Sequence, residues 1–379
     1  MSLDRNILTI YYKHKPGGFC KRLQMKINAY LEQGWRVHYI AVQPFPYQHP
    51  NLTPHILPTP FKHHNTLIFW GYFFALVPWF TAWVAWREKV NLISIFSLTY
   101  ACLCAPAKWI SGAPLLTFIR TMKVKKEFTF GQSQTIFTLE RFMEKIGVSL
   151  SDSLVANCIS IKDELEKRGQ PHKKIQILYN NIDDRRYDKT SFRNRILKEF
   201  GLQDDTFLIV STGLLIARKN QHCLLNAIAG LKSDKVVLLL MGDGPLREPL
   251  QTLSQQQNLQ EKTRFTGWRD DVLEVLQGCD LFIFSSYLEG LSNSILEALA
   301  CQLPCYVSDI PENSEIISRP EQRFHPDQPE ALTKMIQEVL DSGVKLEALR
   351  LASMDDRRRF VFNWSEQVVE KADQMMRAV

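Results

Sequence analysis

Short apolar runs recur along the chain, each followed by a turn and then by residues spaced as on one face of a helix. Ile7-Leu-Thr-Ile-Tyr11 reads as a strand, Lys15-Pro-Gly-Gly18 as a loop, and Lys21 to Gln33 as a helix carrying Leu23, Ile27, Tyr30 and Leu31 inward. Val37 to Val42 reads as the next strand. Strands are also predicted at Leu92 to Phe96, Leu115 to Ile119, Leu154 to Ala156 and Ile175 to Leu178, with a helix over Ile161 to Arg168. A polar, charge-rich stretch from Asp183 to Arg195 interrupts the alternation and is the best candidate for a linker between domains. A second round then begins with the strand Phe207 to Thr212, a glycine loop and the helix Gln221 to Leu231. Val236 to Met241 follows as a strand ending in Gly242-Asp-Gly-Pro245, and Leu281 to Phe284 as another. Strand, glycine loop, helix, strand is the opening of a doubly wound parallel sheet, so the pattern predicts two Rossmann-like α/β halves. Ligands of such sheets bind at the carboxyl ends of the strands, and a cleft between the halves is the expected site.

Composition keeps this picture and narrows it. The chain has 379 residues, 45% hydrophobic and 23% charged, which describes a globular protein with room for two packed domains. Its eight cysteines form no Cys-x-x-Cys pair and no metal-ligand rhythm. Most lie in apolar contexts, so buried free thiols in a reducing compartment are expected. Met1 to Asn6 is polar and resembles no cleavable signal. The net charge of +6 is unevenly spread: residues 1–180 carry 22 Lys and Arg against 10 Asp and Glu, a balance of +12, and the remainder carries 24 against 30, a balance of −6. A basic front half points to an anionic partner, a membrane surface or a phosphorylated acceptor, with scattered solubilising charge as the plainer reading. No nucleic-acid partner is expected.

Candidate chemistry concentrates between Asp280 and Ile317. After the strand Leu281 to Phe284, Ser292 or Asn293 can cap a helix burying Ile295, Leu296, Leu299 and Ala300. Glu289 falls in the preceding loop and Glu297 near the second helical turn. A helix start offers N–H groups and positive dipole to a phosphate, and carboxylates beside it accept hydrogen bonds from sugar hydroxyls. The loop Gly213-Leu-Leu-Ile-Ala-Arg-Lys-Asn220 lies between a strand and a helix, where a phosphate-binding loop belongs. Its Arg218 and Lys219 are cations able to stabilise a departing diphosphate. The nine histidines show no zinc-protease or deaminase spacing, and His63-His64 reads as a polar loop pair.

The block from Thr266-Gly-Trp-Arg-Asp-Asp-Val272 through Gly278-Cys-Asp-Leu-Phe-Ile-Phe-Ser-Ser286 to Ser308-Asp-Ile-Pro-Glu-Asn-Ser-Glu-Ile-Ile317 resembles the family-four glycosyltransferases, retaining enzymes of the GT-B fold. Its Glu-x7-Glu element, Glu289 to Glu297, matches that family's signature. Pro16-Gly-Gly18, Tyr179-Asn-Asn-Ile-Asp183, Met241-Gly-Asp-Gly-Pro-Leu-Arg247 and Phe362-Asn-Trp-Ser365 are similar to further family elements, loosely in the first half and closely in the second. The resemblance implies an acceptor-binding domain over 1–182 and a linker with the first helix of the second half over 183–205. It further implies a nucleotide-sugar-binding domain over 206–355 and a C-terminal helix over 356–379 that returns to the first domain.

By the same resemblance Lys219 contacts the donor diphosphate, Glu297 holds the ribose hydroxyls, and Glu289 lies against the donor sugar, not necessarily as a covalent nucleophile. Gly290 and the backbone of Leu291, Ser292 and Asn293 cup sugar and diphosphate, while Gly17, Gly18 and Gly213 allow close backbone approach. Leu214 stands where the family usually carries arginine, a charge Arg218 can replace. Arg120 stands where many members carry a histidine, and it can grip a phosphate or an anionic sugar or act as a strand-end ion-pair partner. Asn181 and Gln302 replace family glycines. No metal and no cofactor are implied.

Leu67 to Trp86 holds no charge for twenty residues, long enough to span a bilayer. Gly71 and Pro78 should interrupt it, and Trp79, Trp83 and Trp86 share one helical face. The preferred expectation is a helix packed partly on its domain, dipping its aromatic face into a membrane interface near Lys62, Arg87 and Lys89. Ordinary core or an acceptor channel, and a true span, stay open. The resulting expectation is a retaining, metal-independent transferase. It would move sugar from a nucleotide diphosphate donor, with UDP the favoured nucleotide, to a lipid-linked or cell-envelope glycan, and would be cytoplasmic and peripheral at the inner membrane face. A sugar-nucleotide epimerase of the same fold and a degenerate nucleotide-sugar binder are the alternatives.

Overall fold

A computed structural model of the chain describes residues 5–14, 18–64, 66–122, 134–182 and 189–377. It divides into two compact units, one holding the chain up to Leu178 together with Asn363 onward, the other Tyr179–Phe362. The first unit contains seven strands: β1 (Asn6–Ile10), β2 (Arg36–Ala41), β3 (Leu52–Ile56), β4 (Leu92–Phe96), β5 (Leu115–Ile119), β6 (Ser153–Ala156) and β7 (Ile175–Ile177). They pair in parallel in the order β3-β2-β1-β4-β5-β6-β7. The inner strands β1, β4 and β5 are buried throughout and mostly apolar, with Thr9, Ser94 and Thr117 among them, because helices cover both faces of such a sheet. Strand β3 was not foreseen: its Pro54 argues against a strand, yet an edge position has no second neighbour to which that residue must donate.

Helix Gly18–Glu32 buries Leu23, Ile27 and Tyr30 as its spacing predicts, and also buries Lys26, whose Nζ donates to the Ser94 carbonyl at 2.7 Å and lies over the Phe96 ring. Burial pulls the Lys26 ammonium well below its usual range. The C-terminal helix Trp364–Arg377 packs on this helix, with Arg22 over the Trp364 ring and Lys371 donating to Gln176 at 2.8 Å.

Helix Leu67–Arg87 runs unbroken through Gly71 and Pro78, where interruptions were expected. Thr66 caps its start, accepting from the Phe69 N–H, and Phe69, Phe73, Val77 and Val84 enter the core against Leu8, Ile10 and Ile93. Burial of each such side chain stabilises by about 1.5–3 kcal/mol. Together they outweigh the roughly 3 kcal/mol that an internal proline costs. The opposite face is open: Trp79 is 70% and Trp86 68% exposed, with Trp83, Leu67 and Ile68 beside them. Helix Ala105–Ser111, packed alongside, adds exposed Trp109 and Ile110.

The second unit contains β8 (Phe207–Thr212), β9 (Val236–Met241), β10 (Thr263–Gly267), β11 (Leu281–Phe284), β12 (Cys305–Ser308) and β13 (Arg323–Phe324), parallel in the order β10-β9-β8-β11-β12-β13. Counted from its own first strand, this is the same winding as in the first unit, that of dinucleotide-binding folds. Within the expected linker, residues 183–188 lie outside the described residues, whereas Lys189–Phe200 is a helix of this unit. Its charges are structural. Arg193 donates to both Asp280 oxygens, at 3.0 and 2.9 Å, and Ile196 seats where only a glycine fits, a Cβ on Gly278 lying 2.3 Å from it. All eight cysteines are free, and six of them are buried.

Candidate active site

The glycine loop after β8 is built by close approach. A Cβ on Gly242 would stand 1.9 Å from the Gly213 carbonyl, and one on Gly244 would stand 2.5 Å from the Leu215 carbonyl. Both glycines also have φ in the left-handed region, +140° and +158°, so the Gly-Asp-Gly-Pro element after β9 is what holds the Gly213–Asn220 loop in shape. Leu215 donates its N–H to the Asp243 carbonyl, and Asn220, at φ +51°, turns the chain into helix Gln221–Ala229.

A second set of bonds ties this loop to the one after β11. The Ser285 hydroxyl donates to the carbonyls of Lys219 and Asn220 at 3.0 and 2.9 Å, and the Tyr287 N–H donates to the Arg218 carbonyl at 2.8 Å. Side chains then converge. Lys219 Nζ lies 2.8 Å and Arg218 Nη1 3.3 Å from Glu289 Oε1, with the Glu289 carboxylate 8% and the Lys219 side chain 11% exposed. Lys219 also lies over the Phe284 ring at 4.5 Å. Burial alone would raise the Glu289 pKa, but Lys219 and Arg218 outweigh it and hold the carboxyl below its ordinary value. Burial lowers the Lys219 pKa, and Glu289 opposes that shift. Two cations against one carboxylate leave an excess of +1 at the strand ends.

Ser292 is the N-cap of helix Asn293–Ala300, accepting from the Ile295 N–H, which resolves the choice between Ser292 and Asn293. Gly290, Leu291 and Ser292 are buried, while Asn293, Ser294 and Glu297 form a half-buried stripe one helical turn long. Ser294 donates to the Thr212 carbonyl at the end of β8, and Asn180, a buried residue that sequence reasoning did not single out, donates to Asn293 Oδ1 at 2.8 Å. The structure thus joins Lys219, Arg218 and Glu289 directly, and sets Asn293 and Glu297 on the helix beside them in sequence. No direct contact of Glu297 with Lys219 is seen among the described residues.

In the first unit Arg120 ends β5 and donates to the Gly18 carbonyl at 2.8 Å, and burial lowers its pKa to about 10, which keeps it charged. Its Nε is buried and finds no partner among the described residues. Gly17 lies outside the described residues. Asn181, expected to exploit left-handed geometry, does not adopt positive φ and instead donates to the Phe362 carbonyl; Gln302 does adopt it, at +57°.

Comparison with known proteins follows the same division. The family model "Glycosyltransferase Family 4" matches residues 17–186, and "Glycosyl transferases group 1" matches residues 192–353. The chain belongs to the group 1 and family 4 glycosyltransferases of GT-B type. Among relatives, it is 28% identical over 234 residues to the N-acetyl-alpha-D-glucosaminyl L-malate synthase of Bacillus anthracis, a stretch covering 60% of each protein. It is 32% identical over 150 residues to the N-acetylgalactosamine-N,N'-diacetylbacillosaminyl-diphospho-undecaprenol 4-alpha-N-acetylgalactosaminyltransferase of Campylobacter jejuni, covering 40% of this chain and 39% of that one. The matched stretches therefore span less than two thirds of these relatives. The fold aligns with HepE of Anabaena, crystallised with UDP and glucose, at a TM-score of 0.76 and 17% identity over 99% of this chain and 100% of that one. Leu214 is exposed, and Arg218 brings a guanidinium to the same loop.

Proposed function

We propose that this protein is a retaining, metal-independent glycosyltransferase that moves a sugar from a nucleotide diphosphate donor, a UDP-sugar, to a lipid-linked or cell-envelope glycan. The observation that carries the reading is the buried Lys219–Glu289–Arg218 cluster at the carboxyl ends of β8 and β11. An ammonium has three donors, and Glu289 takes one of them, leaving the others to face a diphosphate. As the bond from the anomeric carbon to the diphosphate oxygen breaks, negative charge grows on that oxygen. Lys219 and Arg218 then stabilise the transition state more than the bound donor, supplying what a metal ion supplies elsewhere. Both cations approach Oε1 of Glu289, and its carboxylate is the acceptor for donor sugar hydroxyls. Front-face attack by the acceptor hydroxyl within the resulting ion pair retains configuration without a covalent intermediate. Glu297 holds the ribose hydroxyls, the backbone of Gly213 and of Gly290 to Asn293 cups the phosphates, and Gly17, Gly18 and Arg120 meet the anionic part of a substrate.

The undecaprenol diphosphate named for the Campylobacter jejuni relative supports a lipid-linked acceptor. The exposed tryptophan face of Leu67–Arg87, with Lys62, Arg87 and Lys89 near it in sequence, supports docking on an anionic membrane at its cytoplasmic face. The direct test is a thermal-shift screen of nucleotides and nucleotide sugars followed by turnover assays with native lipid extract. Transfer predicts UDP release that requires acceptor. Donor isomerised without acceptor would indicate an epimerase, and tight donor binding without turnover a non-catalytic binder.

A further inference from the structure

His38 on β2, His55 on β3 and Glu88 at the C-terminal cap of helix Leu67–Arg87 bring one ligand atom each to within 4.8 Å of one another. We infer that these three side chains form a zinc site that pins the edge strand β3 and the foot of the aromatic helix to β2, with water completing the coordination. The site belongs wholly to the first unit, and it does not depend on the transfer reading.

Three observations carry the inference. The first is spacing: His38 Nδ1 and His55 Nε2 share a hydrogen bond of 3.1 Å. Two imidazole nitrogens bound tetrahedrally to zinc at about 2.0–2.1 Å stand roughly 3.3 Å apart, so zinc can replace the shared proton with little movement of the rings. The second is ligand chemistry. Two imidazoles and a carboxylate suit zinc and disfavour magnesium and calcium. His38 is 4% exposed, so a metal bound to it is largely shielded from water on that side. Among the described residues the Glu88 carboxylate is seen to pair with Arg87, at 3.4 Å, 58% exposed on the arginine side. Such a pair is worth little, so the carboxylate can turn to a metal at small cost.

The third is placement. His38 faces Thr53 in the register and His55 faces Ile40, so the two rings meet diagonally across the outermost strand pair. Glu88 is held there independently: its N–H donates to the Val84 carbonyl, and its carbonyl accepts from Asn6 Nδ2 at 3.1 Å. The strand being clipped is an edge strand carrying Pro54, paired on one side only.

The test uses the full chain purified without a polyhistidine tag. After equilibration with zinc and removal of excess, elemental analysis should find about one zinc per chain, and cobalt substitution should give the visible absorption of a tetrahedral centre. Zinc should raise the melting temperature where magnesium does not. Losing a supporting residue around a zinc site costs about 10–100-fold in affinity, so His55→Asn, and separately Glu88→Gln, should weaken zinc binding about 100-fold or more. Both residues are half-buried, and circular dichroism of the metal-free variants should match the parent. His63→Ala/His64→Ala should bind zinc as the parent does. Zinc binding that survives His55→Asn, that vanishes in the His63/His64 variant, or that never exceeds a trace in the parent would overturn the assignment.

Discussion

The ammonium of Lys219 and the carboxylate of Glu289 stand 2.8 Å apart, one from the loop after β8 and the other from the loop after β11, both nearly withdrawn from solvent. A pair so placed fixes the cation's position before any donor arrives, and it makes the two residues interdependent. Removing Lys219 leaves Glu289 with only Arg218, so Lys219→Ala should lower stability by about 1–3 kcal/mol and abolish UDP binding. Lys219→Ala/Glu289→Gln should recover part of the stability but none of the binding. Thermal melts and UDP titrations of the three proteins separate these outcomes, and parental kinetics in Lys219→Ala would refute the cluster's role.

Glu297 is expected to contribute through hydrogen bonds to ribose. Glu297→Ala should weaken UDP affinity by about 10–100-fold, the loss of roughly 1.5–3 kcal/mol that charge-assisted hydrogen bonds supply. Isothermal titration checks it. An unchanged dissociation constant would remove Glu297 from the site.

The folded-state pKa of Glu289 is depressed, so its contribution to stability is complete above the ordinary glutamate value of about 4.3 and is lost as pH falls through the lower folded value. Urea midpoints measured from pH 7 downward should therefore fall below about pH 4 more steeply in the parent than in Glu289→Gln. Parallel curves would show that the carboxylate is not stabilised by its cations.

Replacing Trp79, Trp83 and Trp86 together with glutamine should reduce co-sedimentation with anionic vesicles while donor hydrolysis persists. The three rings lie on the exposed face, so the melting temperature should stay within a few degrees of the parent's. Equal sedimentation would count against membrane docking.

Gln302 holds φ +57° in the turn before β12, a conformation that costs a side chain about 1–2 kcal/mol. Gln302→Gly should raise stability by about 1 kcal/mol or less, since glycine also gains freedom in the unfolded chain. A lowered melting temperature would show that the side chain contributes packing that outweighs its strain.

Much of this architecture could be read from residue order. Ile7 to Ile10, Phe207 to Thr212 and Leu281 to Phe284 announce themselves because strands buried on both faces read as nearly continuous apolar runs. The strands that escaped notice lie mainly at sheet edges. There Pro54 is tolerated, and Thr263-Arg-Phe-Thr-Gly267 mixes polar with apolar positions. The helix Lys189–Phe200 hid among charges because Arg193 and Arg195 look solvated until Asp280, Asp271 and Glu274 are seen to meet them. At the site, family resemblance picked out Glu289, Lys219 and Arg218 separately. Their mutual pairing, and the buried Asn180 that supports Asn293, arise from loop-to-loop bonds that have no periodicity to betray them.

The helix Trp364–Arg377 belongs to the unit whose first strand is Asn6–Ile10, and Arg5 closes an ion pair with Asp373. A nascent chain leaving the ribosome therefore cannot finish its first-made unit until its final residues emerge, whereas Tyr179–Phe362 can fold as soon as it is clear of the exit tunnel. Until then the surface of Gly18–Glu32 that receives Trp364 stays bare.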